Sequence, residues 1–171
     1  MSGGKYTFAY HFDSKAEVSN YLGGKGELWK KSSLLNAGFY VTNMIKYGFL
    51  KGRMGKHESE GKKKYVYKTP GSPGAKHPFF VPADTGVFVE LLVKVGPGQD
   101  LLGVSEMASY EDYMREWTRV TGVESEVKEV SVEDEDKASP GGIGREAAES
   151  TASSAEFGWG KELVLPTDVS Y

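Results

Sequence analysis

Apolar positions along the chain follow two periods in turn, helical spacing in some stretches and alternation or short runs in others. Ser14 with Glu17 makes a capping-box signature, and Ala16, Val18, Tyr21 and Leu22 follow before Gly23-Gly24, which predicts a helix over 14–22. Ser33-Leu34-Leu35-Asn36 predicts a short buried strand. It runs through Ala37-Gly38-Phe39 into a helical stretch carrying Tyr40, Asn43, Met44 and Tyr47. Residues 51–62, rich in Gly, Lys, His and Glu, read as an exposed loop. Tyr65-Val66-Tyr67 reads as a strand that ends at the turn cluster Pro70-Gly71-Ser72-Pro73-Gly74.

Asp84 or Thr85 is placed to cap a helix in which Phe88, Leu91, Leu92 and Val95 share one face and Gly96-Pro97-Gly98 is the stop. A strand at Leu101-Leu102-Gly103-Val104 follows. Ser109 then opens a helix with Tyr110, Tyr113, Met114, Trp117 and Val120 on one side and Gly122 just past its end. Val123 to Val132 alternates as a half-exposed strand with a phase slip near Val130, and Ser131 with Asp134 starts a brief acidic helix. Pro140-Gly141-Gly142 breaks the chain before a helix over 143–157 with a weak apolar face. Leu163-Val164-Leu165-Pro166 is an edge strand or an extended segment, because Pro166 lacks the amide that a central strand needs. The alternation of helices and strands predicts an α/β fold.

A chain of 171 residues is one domain by size. Mean hydropathy is -0.45 and the apolar runs are a few residues long, which excludes a membrane-spanning helix. The absence of Cys excludes disulfides, thiol catalysis and Cys-type zinc sites, and no secretory h-region opens the chain, so an intracellular, cytoplasmic protein is expected. The net charge of -3 conceals a split. Residues 1–68 carry 13 Lys/Arg against 5 Asp/Glu, and residues 69–171 carry 8 against 19. Two halves that attract each other within one fold is the simpler meaning, and an anion-binding face is the other.

Three histidines, His11, His57 and His77, are too far apart for a metal-ligand motif, and Glu133-Asp134-Glu135-Asp136 lacks the pattern of a calcium loop. Gly71-Ser72-Pro73-Gly74 has the wrong spacing for a serine-nucleophile turn. Gly23-Gly24-Lys25-Gly26 follows a helix and Gly141-Gly142-Ile143-Gly144 has no strand before it, so no complete pyrophosphate cradle is present. Lys62-Lys63-Lys64 beside Tyr65 and Tyr67 suits either nucleic-acid stacking or, more simply, an edge hairpin protected by lysines.

Four words in register, His-Phe-Asp-Ser-Lys-Ala-Glu-Val (11–18), Gly-Phe-Tyr-Val-Thr-Asn (38–43), Val-Pro-Ala-Asp-Thr-Gly-Val-Phe-Val (81–89) and Tyr-Glu-Asp-Tyr…Val-Thr-Gly-Val (110–123), resemble the NmrA-like family of atypical short-chain dehydrogenases. The resemblance implies a partial Rossmann-like, NAD(P)-binding fold: the end of the Rossmann half at 1–50 and a cleft-closing subdomain at 51–171. The glycine-rich loop of the family would lie upstream, consistent with a full-length member of roughly 300 residues. Lys15 stands where the family's lysine binds the nicotinamide ribose. Four residues before it is His11 instead of the usual Tyr proton donor, and the capping box at Ser14 puts His11 ahead of the helix. Tyr40, Val41, Thr42 and Asn43 correspond to the stretch lining the nicotinamide side of the pocket. The family's Arg-Pro before this glycine is here Asn36-Ala37.

The resemblance implies a catalytically inactive regulator or redox sensor of fungal type, using NADP or NAD in an intact member and acting on a transcription factor or other protein partner, with a nuclear location open. An NAD(P)-dependent reductase is the enzyme alternative, and a basic-face nucleic-acid binder ranks last. Loss of the upstream strands would leave an open sheet edge prone to self-association.

Overall fold

Helices and strands alternate as the periodicity requires, giving seven α-helices and eight strands among the described residues. The computed structural model describes residues 2–46, 54–59, 62–159 and 164–168. Two interleaved units result, one of residues 1–9, 43–77 and 108–159, the other of 10–42, 78–107 and 160–171.

The second unit holds α1 (Tyr10–Gly23), α2 (Gly26–Trp29), β1 (Leu34–Ala37), β2 (Phe39–Tyr40), most of β5 (His77–Phe80), α4 (Thr85–Val95), β6 (Asp100–Gly103) and most of β7 (Glu106–Ala108). β1 pairs in parallel with β6 over Leu34↔Asp100 to Ala37↔Gly103, and β2 pairs in parallel with β5. The uncharged run Leu34-Leu35-Asn36-Ala37 forms a strand as predicted, half-buried instead of buried, and β6 is its only ladder partner among the described residues. α4 lays Phe88 and Leu91 onto Phe80 and Leu101, with Leu35, Ala37, Leu92 and Val95 around them. Phe80 and Phe88 stack at 5.4 Å. Full burial of each such side chain stabilises by about 1.5–3 kcal/mol. The predicted cap on α4 is not made: Asp84 instead accepts from Ser105 Oγ at 2.6 Å, and Thr85 Oγ1 donates back to the Pro82 carbonyl at 2.7 Å. Val164 bridges Leu101 as the extended segment expected of it, before Pro166 opens a single 3-10 turn.

The first unit is built on the sheet β3 (Met54–Ser59), β4 (Lys62–Pro70) and β8 (Ser125–Val130), in the order β3-β4-β8. Its other elements are α3 (Asn43–Lys46), α5 (Tyr110–Thr121), α6 (Val132–Ala138) and α7 (Ile143–Phe157). Tyr67 is fully buried against Tyr110, and Tyr65 meets Trp117, so the apolar stripe of α5 covers this sheet as its spacing predicts. Ser109 and Asp112 close a reciprocal capping box on α5, and Gly122 ends it in the left-handed conformation at φ 70°. Ser131 accepts from the Asp134 amide and starts α6, as expected.

Three expectations are corrected. Tyr40, expected in a helical stretch, closes strand β2, and the helix that follows starts only at Asn43. Residues 54–59 are strand β3, antiparallel to β4, not loop: they lack apolar alternation, and pairing with a strong neighbour supplies what their composition does not. α1 begins at Tyr10, one turn earlier than the capping box at Ser14 implies. Ser14 is an interior residue whose hydroxyl donates to the His11 carbonyl at 3.2 Å. Tyr47 lies outside the described residues.

Candidate cofactor-binding site

The early start of α1 changes the geometry of the predicted site. His11 and Lys15 are both helical, four residues apart, and therefore on one face one turn from each other. Lys15 is exposed, and none of the ion pairs or hydrogen bonds among the described residues engages its ammonium. α1 buries no residue, and Tyr10, Val18 and Tyr21 are 56%, 67% and 69% exposed.

Tyr40 sits at the end of β2, 41% exposed, with its ring edge-on to Phe80 at 5.1 Å. Val41 donates its amide to the Phe80 carbonyl at 3.0 Å, which continues the β2–β5 pairing one residue further. Thr42 is half-buried, and Asn43 is the first residue of α3 in the other unit. His11 with Lys15 and Tyr40 with Val41 and Thr42 are thus two separate segments of one unit. Asn36 replaces the family's Arg and donates Nδ2 to Asp100 across the β1–β6 pair at 2.5 Å, a role the sequence reading did not foresee.

Each of the two segments offers a group of the type that one end of a dinucleotide takes. A free ammonium suits ribose hydroxyls, and an exposed aromatic ring at the carboxyl end of a parallel strand suits a nicotinamide face. Among the described residues no glycine-rich turn matches the phosphates. Gly23 ends α1, and Gly24 donates its amide to the Asn20 carbonyl at 3.1 Å. Gly141 and Gly142, both at positive φ, connect two helices, not a strand and a helix.

Part of the charge split meets inside the first unit. Lys64 meets Glu126 across the β4–β8 pair at 2.5 Å, and Lys68 lowers the pKa of Asp134 on α6, chiefly set by the Ser131 hydroxyl. The side chains of Lys62 and Lys63 lie outside the described residues. A shallow groove of about 400 Å³ between α5 and β8 holds no predicted site residue, and its hydroxyls, Thr118 and Ser125, bond each other at 2.6 Å. No group of three His, Asp or Glu side chains among the described residues is placed to hold a metal, and no described helix is long and apolar enough to cross a membrane.

The model of the NmrA-like family matches residues 1–163. The chain belongs to the NmrA-like family. Among solved structures, a crystal structure of isoflavone reductase is similar at TM-score 0.64 and 13% identity, covering 95% of this chain and 55% of its own. A mutant NmrA structure is similar at TM-score 0.42 and 18% identity, covering 58% of this chain and 31% of its own. The chain therefore spans about a third to about half of the structures it resembles. No curated protein matches it. The fold is the Rossmann-like α/β type of NAD(P)-binding proteins, in part.

Proposed function

We propose that this NmrA-like chain is a regulatory or redox-sensing protein that engages the nicotinamide-ribose end of NADP or NAD through Lys15 and Tyr40 and acts by contacting a protein partner. The observation that carries this reading is the face shared by His11 and Lys15. The cofactor-contacting lysine is present and free, while the tyrosine that would donate a proton is a histidine. When bound, the dinucleotide would supply hydride chemistry. Here the residues of α1 and β2 bind and orient, and no other group in the segment is set to complete a reaction. Val41 and Thr42 would border the same end.

The exposed face of α1 and the edge of β1, which has no ladder partner besides β6 among the described residues, support contact with a partner, a transcription factor or a second copy of this chain, in the cytoplasm or nucleus. Calorimetric titration of NADP+ and NAD+ into the chain tests the cofactor half. Weak binding that Lys15→Ala lowers about tenfold is expected, the worth of one charge-assisted hydrogen bond. Tight binding with turnover of a carbonyl or quinone would overturn the regulatory reading, and no binding would overturn the cofactor contact. The reductase alternative draws on one feature: a neutral His11 one turn from Lys15 can exchange a proton near neutral pH.

A further inference from the structure

The segment ahead of α1 is held by a residue 141 positions away. Glu149 of α7 is 2% exposed, and its Oε2 accepts the Phe8 amide at 2.7 Å. Its other oxygen takes Arg145 Nε at 2.7 Å, and Arg145 lies over the Phe8 ring at 5.4 Å and within 3.6 Å of Glu133 on α6. Two further contacts repeat the theme, since Lys5 and Tyr6 both donate to Glu156 of α7, at 2.5 and 2.8 Å. Ala9, buried, is the one residue between this anchored run and Tyr10.

α1 has two possible beginnings. Ser14 with Glu17 is the start its local sequence favours, and Ala9 offers no side-chain cap for a start at Tyr10. The observed start is Tyr10. Only with that start does His11 stand on the helix, one turn before Lys15.

We infer that Glu149 is a positioning residue for the His11–Lys15 face: by fixing the backbone at Phe8 it selects the Tyr10 start of α1 over the Ser14 start. The coupling runs through the main chain of Ala9 and needs no ligand. A buried carboxylate that accepts main-chain amides holds its segment in one path, whereas a free segment would let the first turn unwind to the nearest good cap. For its functional consequence the inference rests on the cofactor-facing reading of α1, but the selection of the helix start stands apart from it.

The test is amide hydrogen exchange on the full chain, combined with a double-mutant cycle. In Glu149→Gln, amides of residues 13–17, whose helical acceptors are the carbonyls of 9–13, should exchange about tenfold faster or more while those of 18–22 keep their protection. Ser14→Ala should leave α1 unchanged in the native background, where Ser14 is an interior residue, and destabilise it further in the Glu149→Gln background, where Ser14 becomes the cap. Phe8→Pro deletes the donated amide, together with the ring under Arg145, while leaving every residue of α7 in place, and should reproduce the exchange pattern, so a poorly folded Glu149 variant does not stall the test. Unchanged exchange at 13–17 in both variants, or equal effects of Ser14→Ala in the two backgrounds, would overturn the inference. If the exchange pattern shifts while NADP+ affinity does not, the positioning holds and the cofactor reading fails.

Discussion

Gly38 lies against Pro78 so closely that a Cβ on the glycine would stand 2.3 Å from the Pro78 carbonyl oxygen. At this point the chain leaves one strand partner for another. Gly38 donates its amide to Gly103 on β6, and three residues later Val41 donates to Phe80 on β5. Tyr40 is delivered to its exposed position by that exchange. Gly38→Ala must push β2 off β5, and it should destabilise the chain by about 1–3 kcal/mol, as overpacking does. A lowered urea midpoint with an unchanged slope is the expected signature.

Phe88 carries the apolar seam between α4 and the β1–β6 pair. Phe88→Ala should cost about 3–5 kcal/mol, a large share of the stability of a chain this size. Val93→Ala, on the exposed side of the same helix, should stay within about 0.5 kcal/mol. Thermal melts of the two variants side by side check the contrast.

Asp112 supplies an acid-side signature. Lys76 first, then the Ser109 amide and hydroxyl and Arg115, hold its carboxyl well below the usual range. A group whose folded pKa is depressed contributes stability above its unfolded pKa, about 3.9, and that contribution is lost as pH falls through the folded value. Asp112→Asn should therefore lower stability at neutral pH and flatten its decline below about pH 4. Urea midpoints measured across that range decide the matter.

His11→Tyr restores the usual spacing of tyrosine to lysine on α1, but not a phosphate cradle. No NADPH oxidation should appear with quinone or carbonyl substrates, in a spectrophotometric assay where a family reductase is active. Turnover in this variant would mean that the cofactor is held by means other than those described.

Val18 and Tyr21 stand exposed on α1 and contribute nothing to a core. If this face or the edge of β1 brings copies together, sedimentation velocity should show a concentration-dependent species, and Val18→Lys with Tyr21→Lys should weaken it without lowering the melting temperature. A monomer at every concentration would remove self-association from the proposed partners.

The sequence told most where local and tertiary preferences coincide. α4 and α5 end at their glycines, α6 starts at its Ser131 cap, and the phase slip near Val130 is where β8 stops. It misled where a distant residue overrides a local signal. Ser14 and Glu17 carry every mark of a helix start, yet the helix begins a turn earlier, and Glu149, the partner of Phe8, has no signature in the neighbourhood of Phe8. β3 was hidden for a related reason, because its pairing with β4 is not written in its own composition. The same holds for the site: Lys15 and Tyr40 were readable from motif and pattern, whereas the helical register of His11 was not.

The two units exchange the chain at 9/10, 42/43, 77/78, 107/108 and 159/160. No single cut yields either one, so neither can be expressed as a contiguous fragment, shuffled as a module or lost separately in a deletion. Each contains segments far apart in sequence, and β4 must wait for β8 to be synthesised before its parallel partner exists. A ribosome-bound chain lacking its last third would hold half-made versions of both units.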